Sequence, residues 1–227
     1  GFRLDGVTFL GRSGSSVSIA GDVNGDGFDD VIIGAPSADS SYVVFGKGSG
    51  FDPVINLSDL DGNHGFRLDG GGDKSGYSVG GAGDFNGDGY DDVIVGASGA
   101  GASYVILGKQ SGFDSVMDIS TLNGNNGFRL DGSGAAVSNA GDVNGDGFDD
   151  VIIGAFRVSP SYVVFGQAAG LSASLDLSSL DGNTGFRLKG EESDYSGISV
   201  SGAGDINGDG FDDVIVGAYR DGSNYVV

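Results

Sequence analysis

The stretch Gly-Asp-Phe-Asn-Gly-Asp-Gly-Tyr-Asp-Asp-Val-Ile-Val-Gly-Ala at residues 83–97 decides the fold, because the chain repeats it with few changes at residues 21–35, 141–155 and 204–218. A second phrase, Gly-Phe-Arg-Leu, begins at residues 1, 65, 127 and 185. The whole unit therefore recurs at a period of about 60 residues, and such self-similarity is the signature of a repeat architecture. A strand-rich unit of this kind indicates propeller blades or another stacked array rather than unrelated domains.

Strand signals occur four times within each unit. In the second copy, alternating and β-branched residues predict strands at residues 66–69, 77–82, 92–95 and 103–107. The Val-Ile runs that follow the acidic loops are apolar on both faces, as expected for a strand packed between neighbouring sheets. We therefore predict one all-β domain of four-stranded antiparallel blades over residues 1–227, with repeats at about 1–64, 65–126, 127–184 and 185–227.

The amino-acid composition limits which binding partners and which kinds of metal site or cross-link this chain can have. The chain has 47 Gly among 227 residues but 38% hydrophobic content, which is typical of strands joined by tight turns rather than of a disordered polymer. Its formal net charge of −21 excludes nucleic acid as a partner, since phosphate binding needs a basic surface. The absence of Cys excludes disulfides and thiolate metal sites. No apolar run is long enough to cross a bilayer, so membrane insertion is not expected.

The first strand is predicted to close the array into a ring. In the other copies, Gly-Phe-Arg-Leu follows a strand such as residues 103–107, and the chain ends on such a strand at residues 225–227. The last blade therefore lacks its outer strand, which residues 2–5 would supply while hiding two open edges. This hypothesis predicts a closed four-bladed ring.

Each copy also contains an Asp-x-Asn-x-Asp-Gly-x-x-Asp loop, whose spacing is typical of a calcium site. Hard cations take oxygen ligands, here from side chains 1, 3, 5 and 9 and the backbone carbonyl of position 7, while Gly at position 6 allows a sharp turn. Position 12 is apolar where an EF-hand needs Glu, so the loop is not an EF-hand. The alternative is an acidic hairpin turn without metal, in which the clustered carboxylates would repel one another. We predict four Ca²⁺ sites with the ligands Asp22, Asn24, Asp26, Phe28 and Asp30; Asp84, Asn86, Asp88, Tyr90 and Asp92; Asp142, Asn144, Asp146, Phe148 and Asp150; and Asp205, Asn207, Asp209, Phe211 and Asp213.

Other features that recur once per repeat are given structural roles. The Asp at loop position 8 is expected to point away from the ion and to bond to loop backbone. The Arg of Gly-Phe-Arg-Leu is expected to pair with a neighbouring Asp. Residues 57–60, 119–122 and 177–180 are interpreted as short turns anchored by apolar side chains.

These motifs closely resemble the FG-GAP repeat family, named for Phe-Gly and Gly-Ala-Pro. Phe45-Gly46 and Phe165-Gly166 match the first element, Gly34-Ala35-Pro36 matches the second in full, and the other copies keep Gly-Ala. The resemblance covers essentially the whole chain. The chain resembles the propeller of integrin α-subunits and the propellers of many secreted or surface bacterial proteins. It implies a calcium-binding β-propeller, commonly seven-bladed, at an extracellular or cell-surface location. Four repeats imply a four-bladed ring, a larger ring completed by a second copy in a homodimer, or a ring whose other blades are missing here.

Ligand recognition is expected opposite the calcium loops, where the copies differ most. Loops on a repeated rigid scaffold commonly carry binding, and aromatic and Arg side chains suit a protein or a glycan. The alternative is relaxed loops whose aromatic side chains fold over the sheet edge. The candidate ligand-binding residues are Arg12, Phe156, Arg157, Tyr195, Tyr219 and Arg220.

Together these observations predict a calcium-stabilised β-propeller module that binds a protein or glycan and is not an enzyme. His64 is the sole His, so no Ser-His-Asp catalytic set is expected, and the acids that could form a catalytic pair are mostly assigned to calcium. Two alternatives remain open. One is a structural or assembly element without a small ligand, and the other is the non-catalytic propeller of a larger secreted hydrolase, since related propellers are attached to phospholipase or lyase domains.

Overall fold

The computed structural model describes residues 1–7, 9–155, 160–168, 170–190, 195–220 and 222–227, and only the backbone of Phe9. Over these residues the chain is all-β, with 3₁₀ helices of three residues at Phe9–Gly11, Leu57–Asp59, Ile119–Thr121 and Leu177–Ser179. The last three of these coincide with the predicted short turns. The strands are β1 (Arg3–Asp5), β2 (Ser16–Gly21), β3 (Asp30–Ala35), β4 (Ser40–Val44), β5 (Val54–Asn56), β6 (Gly65–Asp69), β7 (Ser75–Gly83), β8 (Asp92–Ala97), β9 (Ala102–Ile106), β10 (Val116–Asp118), β11 (Gly127–Asp131), β12 (Ala136–Gly141), β13 (Asp150–Gly154), β14 (Ser161–Val164), β15 (Ser174–Asp176), β16 (Gly185–Leu188), β17 (Ser196–Gly204), β18 (Asp213–Ala218) and β19 (Ser223–Val226).

Each repeat contributes one antiparallel sheet, and in repeats 1 to 3 its outer strand comes from the Gly-Phe-Arg-Leu phrase of the next repeat. The strand orders are β2-β3-β4-β6, β7-β8-β9-β11 and β12-β13-β14-β16 in repeats 1 to 3. Repeat 4 forms the three-stranded sheet β17-β18-β19. The four strands predicted in the second copy are therefore all present, as β6 to β9, although β6 belongs to the sheet of repeat 1.

The first strand does not complete the last sheet, so the predicted pairing of residues 2–5 with repeat 4 is wrong for this structure. β1 instead pairs in parallel with β5, in the register Arg3 to Val54 and Asp5 to Asn56. Local contacts hold it there, since the Phe2 ring stacks on Phe51 with centroids 4.3 Å apart. The same parallel pairing joins β6 to β10 and β11 to β15. Three-residue strands are too short to leave a period in the sequence, and β5, β10 and β15 were accordingly not predicted.

The sheets stack in chain order through apolar cores. The inner strands β2, β7, β12 and β17 lie side by side. In every case an Ile of the middle strand of one repeat packs in the same core as a Val on the inner strand of the next. The pairs are Ile32 with Val79, Ile94 with Val137, and Ile152 with Val200.

The two ends of this stack present uncovered faces. Val17 of repeat 1 is 67% exposed, whereas its counterpart Val79 is 5% exposed. At the other end, Ile215 is 37% exposed, whereas its counterpart Ile32 is fully buried. Over the described residues the chain therefore forms an open stack of four sheets, and no closed ring is observed.

The recurring Arg residues form the predicted ion pairs in three repeats. Arg Nε lies 2.6 to 2.7 Å from the Asp two residues later, in the pairs Arg3–Asp5, Arg67–Asp69 and Arg129–Asp131. In the fourth copy, Lys189 occupies the position of that Asp after Arg187. These pairs are partly exposed, so they contribute little to stability.

Candidate functional site

The acidic loop of repeat 1 connects β2 to β3 and folds its side chains back onto its own backbone. Asp22 accepts hydrogen bonds from the backbone N–H groups of Asp26 (2.9 Å) and Gly27 (2.8 Å). Asn24 Oδ1 also accepts from Asp26 N–H at 2.9 Å, and Asp26 Oδ1 accepts from Phe28 N–H at 3.0 Å. Gly27 lies at φ 87°, in the left-handed region that Gly tolerates, which lets the loop curl around these oxygens.

The other three loops repeat this geometry. In each, the first Asp accepts from the Gly N–H at position 6, at 2.9 to 3.0 Å, in the pairs Asp84–Gly89, Asp142–Gly147 and Asp205–Gly210. The Asn at position 3 accepts from the N–H at position 5, at 2.8 to 2.9 Å, in the pairs Asn86–Asp88, Asn144–Asp146 and Asn207–Asp209. In all four loops the side chains at positions 1, 3 and 5 therefore accept equivalent backbone N–H groups in one shared loop conformation.

The Asp at loop position 9 is buried and joins two distant segments. Asp30 is fully buried, and its two oxygens accept from the N–H groups of Val23 (3.0 Å) and Gly46 (2.7 Å). Burial raises the pKa of Asp30 to about 7, because the ionised carboxylate is poorly solvated there. In repeats 2 and 3 the same contacts are made by Asp92 with Phe85 and Gly108, and by Asp150 with Val143 and Gly166.

Burial likewise raises the pKa of Asp92 to about 8 and of Asp150 to about 7. The fourth loop differs at this point. Asp213 Oδ2 accepts from Ile206 N–H at 3.0 Å, but its Oδ1 accepts from the Asn207 side chain at 3.3 Å. The Asn207 amide thus takes the place that a Gly N–H of the next segment holds in the first three loops.

The donor set fits a hard divalent cation. None of the ion pairs formed by the described residues includes Asp30, Asp92 or Asp150, so three buried carboxylates have no basic partner. In the part of the chain that the structure describes, no three acidic or His side chains converge as a metal-binding group, and the carboxylates turn toward backbone N–H groups instead. A carboxylate that accepts one N–H on each oxygen keeps further lone pairs for a cation. When bound, Ca²⁺ would supply the positive charge that these loops lack.

The Asp at loop position 8 reaches the loop of the preceding repeat. Asp91 Oδ2 accepts from the backbone N–H of Asp22 at 2.7 Å. The same contact joins Asp149 to Asp84 at 2.9 Å and Asp212 to Asp142 at 3.0 Å. The sequence predicted a bond to loop backbone, and the structure shows that the loop concerned belongs to a different repeat. We call Asp91, Asp149 and Asp212 the inter-repeat aspartates.

Two Gly residues allow this close approach between loops. Gly21 lies at φ 78°, and a Cβ there would be 2.3 Å from Asp91 Oδ2. At Gly25, a Cβ would be 2.3 Å from the Tyr90 ring, which belongs to the next loop. In the first three loops, the Gly before the loop and the Gly at position 4 therefore serve the junction between repeats as well as the turn.

The structure brings together three of the six residues predicted to bind a ligand. The rings of Tyr195 and Tyr219 have centroids 5.4 Å apart, and the Arg220 guanidinium lies 5.1 Å from the Tyr195 centroid. Tyr219 is 62% exposed. Arg12 lines a separate groove with Pro36, Lys74 and Tyr77. Phe156 and Arg157 lie outside the described residues.

Comparison with known proteins matches the repeats to one family. The model of the FG-GAP repeat matches four segments, residues 13–51, 75–106, 133–164 and 196–227, which together cover more than half of the chain. The chain belongs to the FG-GAP repeat family. It is also similar to integrin alpha-5 of Xenopus laevis (28% identical) and integrin alpha-V of Gallus gallus (30% identical), each over 91% of this chain and 20% of the relative. The chain thus spans about a fifth of the length of the curated relatives it matches.

The two phrases that name the FG-GAP repeat have identifiable physical roles in this chain. The Gly of Phe45-Gly46 donates its N–H to the buried Asp30, and Phe45 packs against Phe66 with centroids 5.9 Å apart. The Gly of Gly34-Ala35 faces the next repeat, where a Cβ would lie 2.2 Å from the Gly76 carbonyl oxygen. None of the helices in the described ranges is long and apolar enough to cross a membrane.

Proposed function

We propose that this chain is a calcium-stabilised β-propeller binding module that recognises a protein or glycan outside the cell or at its surface. The cluster of Tyr195, Tyr219 and Arg220 carries the binding proposal, since aromatic faces and guanidinium groups suit sugar stacking and protein recognition. Tyr219 and Arg220 are exposed and Tyr195 is half-buried. The integrin alpha names of its relatives support an adhesive role and an extracellular location.

Four Ca²⁺ ions, one per FG-GAP repeat, are proposed to stabilise the module. The support comes from the repeated oxygen-donor loops and from the buried, unpaired Asp30, Asp92 and Asp150. The side chains at positions 1, 3, 5 and 9 and the carbonyl of position 7 would hold each ion. The ligands are proposed to be those that the sequence predicted, from Asp22 through Asp213.

A binding role rather than catalysis is supported by the surroundings of the sole His. His64 Nδ1 lies 3.0 Å from Asp61 Oδ1, and both side chains are exposed. The same Asp61 oxygen accepts the backbone N–H groups of Asn63 and His64, so the contact belongs to a turn. This arrangement is equally compatible with the non-catalytic propeller of a larger secreted hydrolase.

The binding proposal predicts that Tyr219→Ala combined with Arg220→Ala lowers binding at least tenfold, because both exposed anchors are lost. The measurement is binding of the wild type and the variant to a glycan array and to purified cell-surface proteins in Ca²⁺. A matched control is Lys74→Ala with Tyr77→Ala, which removes a cation and an exposed Tyr from the other groove. Unchanged binding by the Tyr219 and Arg220 variant would reject this face as the recognition site.

A second candidate role is assembly through the open ends of the stack. Repeat 1 presents Val17 and Ile19, which are 67% and 66% exposed, and repeat 4 presents Ile206, which is 61% exposed. At the internal junctions the counterparts of Val17 are buried, namely Val79, Val137 and Val200. The counterparts of Ile206 are Val23 and Phe85, which are buried, and Val143, which is half-buried. We infer that repeat 1 of one copy can dock on repeat 4 of another, so that a homodimer completes a larger ring.

Assembly of this kind predicts that Val17→Asp abolishes self-association, since it places a charge in the apolar junction. Sedimentation velocity over a range of protein concentrations in Ca²⁺ measures the self-association of the wild type and of the variant directly. Val116→Asp is the control, because Val116 is 42% exposed on β10 and lies outside both end faces. A wild type that stays monomeric at every concentration would refute the homodimer.

A further inference from the structure

Each of the three junctions between repeats contains the same pair of hydrogen bonds between acidic loops. The inter-repeat aspartate accepts the backbone N–H of the first loop residue in the preceding repeat. In return, its own N–H donates to the carbonyl oxygen of that residue, as Asp91 N–H does to Asp22 at 3.2 Å. The corresponding distances are 3.4 Å from Asp149 to Asp84 and 3.1 Å from Asp212 to Asp142.

The residue held in this way is the first proposed calcium ligand. Asp22 opens the loop, and its carboxylate accepts the N–H groups of Asp26 and Gly27 on the far side of the curl. Fixing both backbone groups of Asp22 therefore fixes the start of the ligand set. Hydrogen-bond partners of this kind orient metal ligands, and their loss typically reduces metal affinity about 10- to 100-fold.

We propose that the inter-repeat aspartates are positioning residues for the calcium site of the preceding repeat rather than for the loop in which they stand. The inference rests on the calcium binding proposed above. Asp91 serves the loop that begins at Asp22, Asp149 serves the loop at Asp84, and Asp212 serves the loop at Asp142.

A coupling between calcium and repeat docking follows from this arrangement. If the docked repeat strengthens the calcium site before it, bound calcium must strengthen the docking of that repeat by the same factor. The loop at Asp205 receives no such carboxylate from the described residues of this chain. We expect it to have the lowest affinity of the four sites.

The chain offers a matched control for the experiment. Asp29 occupies loop position 8 in repeat 1, and no preceding loop in the described chain receives its carboxylate. Asp91→Ala and Asp29→Ala therefore remove the same side chain from equivalent loops. Only the first of them removes a contact between repeats.

Calcium titrations followed by the backbone amide resonances of each loop provide the site-resolved measurement. We expect Asp91→Ala to weaken calcium binding at residues 22–30 by about tenfold, with less than a twofold change at residues 142–150. At protein concentrations where the chain is monomeric, Asp29→Ala is expected to leave all four sites within twofold of the wild type. Asp91→Asn, which keeps an oxygen acceptor, is expected to fold and to recover part of the lost affinity at residues 22–30.

The opposite pattern overturns the inference. If each Ala substitution lowers the calcium affinity of the loop in which the substituted Asp stands, the aspartates act locally and not across the junction. If Asp91→Ala fails to fold, Asp149→Ala decides, because Asp149 makes the same contact to Asp84. Wild-type calcium affinity at residues 84–92 in that variant would reject the positioning role. A wild type that binds no calcium would instead defeat the calcium proposal itself.

Discussion

Chelation of calcium is expected to lower the melting temperature of this chain by more than about 10 °C. A ligand that binds only the folded state stabilises it by about 2.7 kcal/mol per site when its free concentration is 100 times Kd. In chains of 150 to 250 residues, each 1 kcal/mol shifts the melting temperature by about 2–4 °C. Two occupied sites are therefore sufficient for the predicted effect, and four loops are available.

The buried carboxylates give the physical reason for expecting so large an effect. Asp30, Asp92 and Asp150 stand in apolar surroundings without a basic partner, and ionising them there is unfavourable. A divalent cation reverses that penalty. Without the cation, each loop retains only its backbone hydrogen bonds against the repulsion of its acids.

Thermal unfolding in excess Ca²⁺ and in EGTA is the measurement, followed by circular dichroism. Asp88→Ala, which removes one proposed ligand, is expected to reduce the calcium-induced shift. Asp114→Ala serves as the control, because Asp114 is an exposed acid outside the loops. A melting temperature that is the same with and without EGTA would contradict structural calcium binding.

Phe66→Ala is expected to destabilise the folded state by about 3–5 kcal/mol, the usual range for a buried Phe. Phe66 is fully buried, and its ring stacks on Phe113 with centroids 4.7 Å apart and planes 6° from parallel. Its removal leaves a cavity between β6 and the segment before β10, where Phe45 also packs. The predicted fall in melting temperature is about 6–20 °C.

The same phrase supplies the control, because Phe2 occupies the position of Phe66 in the first repeat. Phe2 is 41% exposed and stacks on Phe51 alone among the described rings. Phe2→Ala should therefore cost about 1 kcal/mol, the worth of one aromatic pair. Chemical denaturation of both variants compares their free energies of unfolding. Equal losses would contradict the difference in packing between the buried Phe66 and the partly exposed Phe2.

Local features of this protein could be predicted from its sequence. The strands β6 to β9, the short turns at Leu57–Asp59 and its counterparts, and the pairing of Arg67 with Asp69 all depend on residues close together in the chain. The curl of each acidic loop is local as well, since the hydrogen bonds within the loop span seven residues or fewer. Periodicity and turn chemistry report such features directly.

Contacts between segments that are distant in the sequence were decided only by the tertiary structure. The partner of β1, the short parallel strands, and the Gly46 N–H that supports Asp30 all depend on how separate segments align in space. The grouping of Tyr195, Tyr219 and Arg220 required the structure for the same reason.

The loops of repeats 1 and 3 separate the effect of local sequence from that of tertiary structure, because residues 21–35 and 141–155 are identical in sequence. Asp149 holds the backbone of Asp84 in the preceding repeat, whereas Asp29 has no preceding loop in the described chain to hold. The sequence by itself determined that both segments form the same acidic hairpin, since that depends on local backbone and side-chain chemistry. Only the stacking of the sheets decided which of the two also joins one repeat to another, because that depends on what lies beside it.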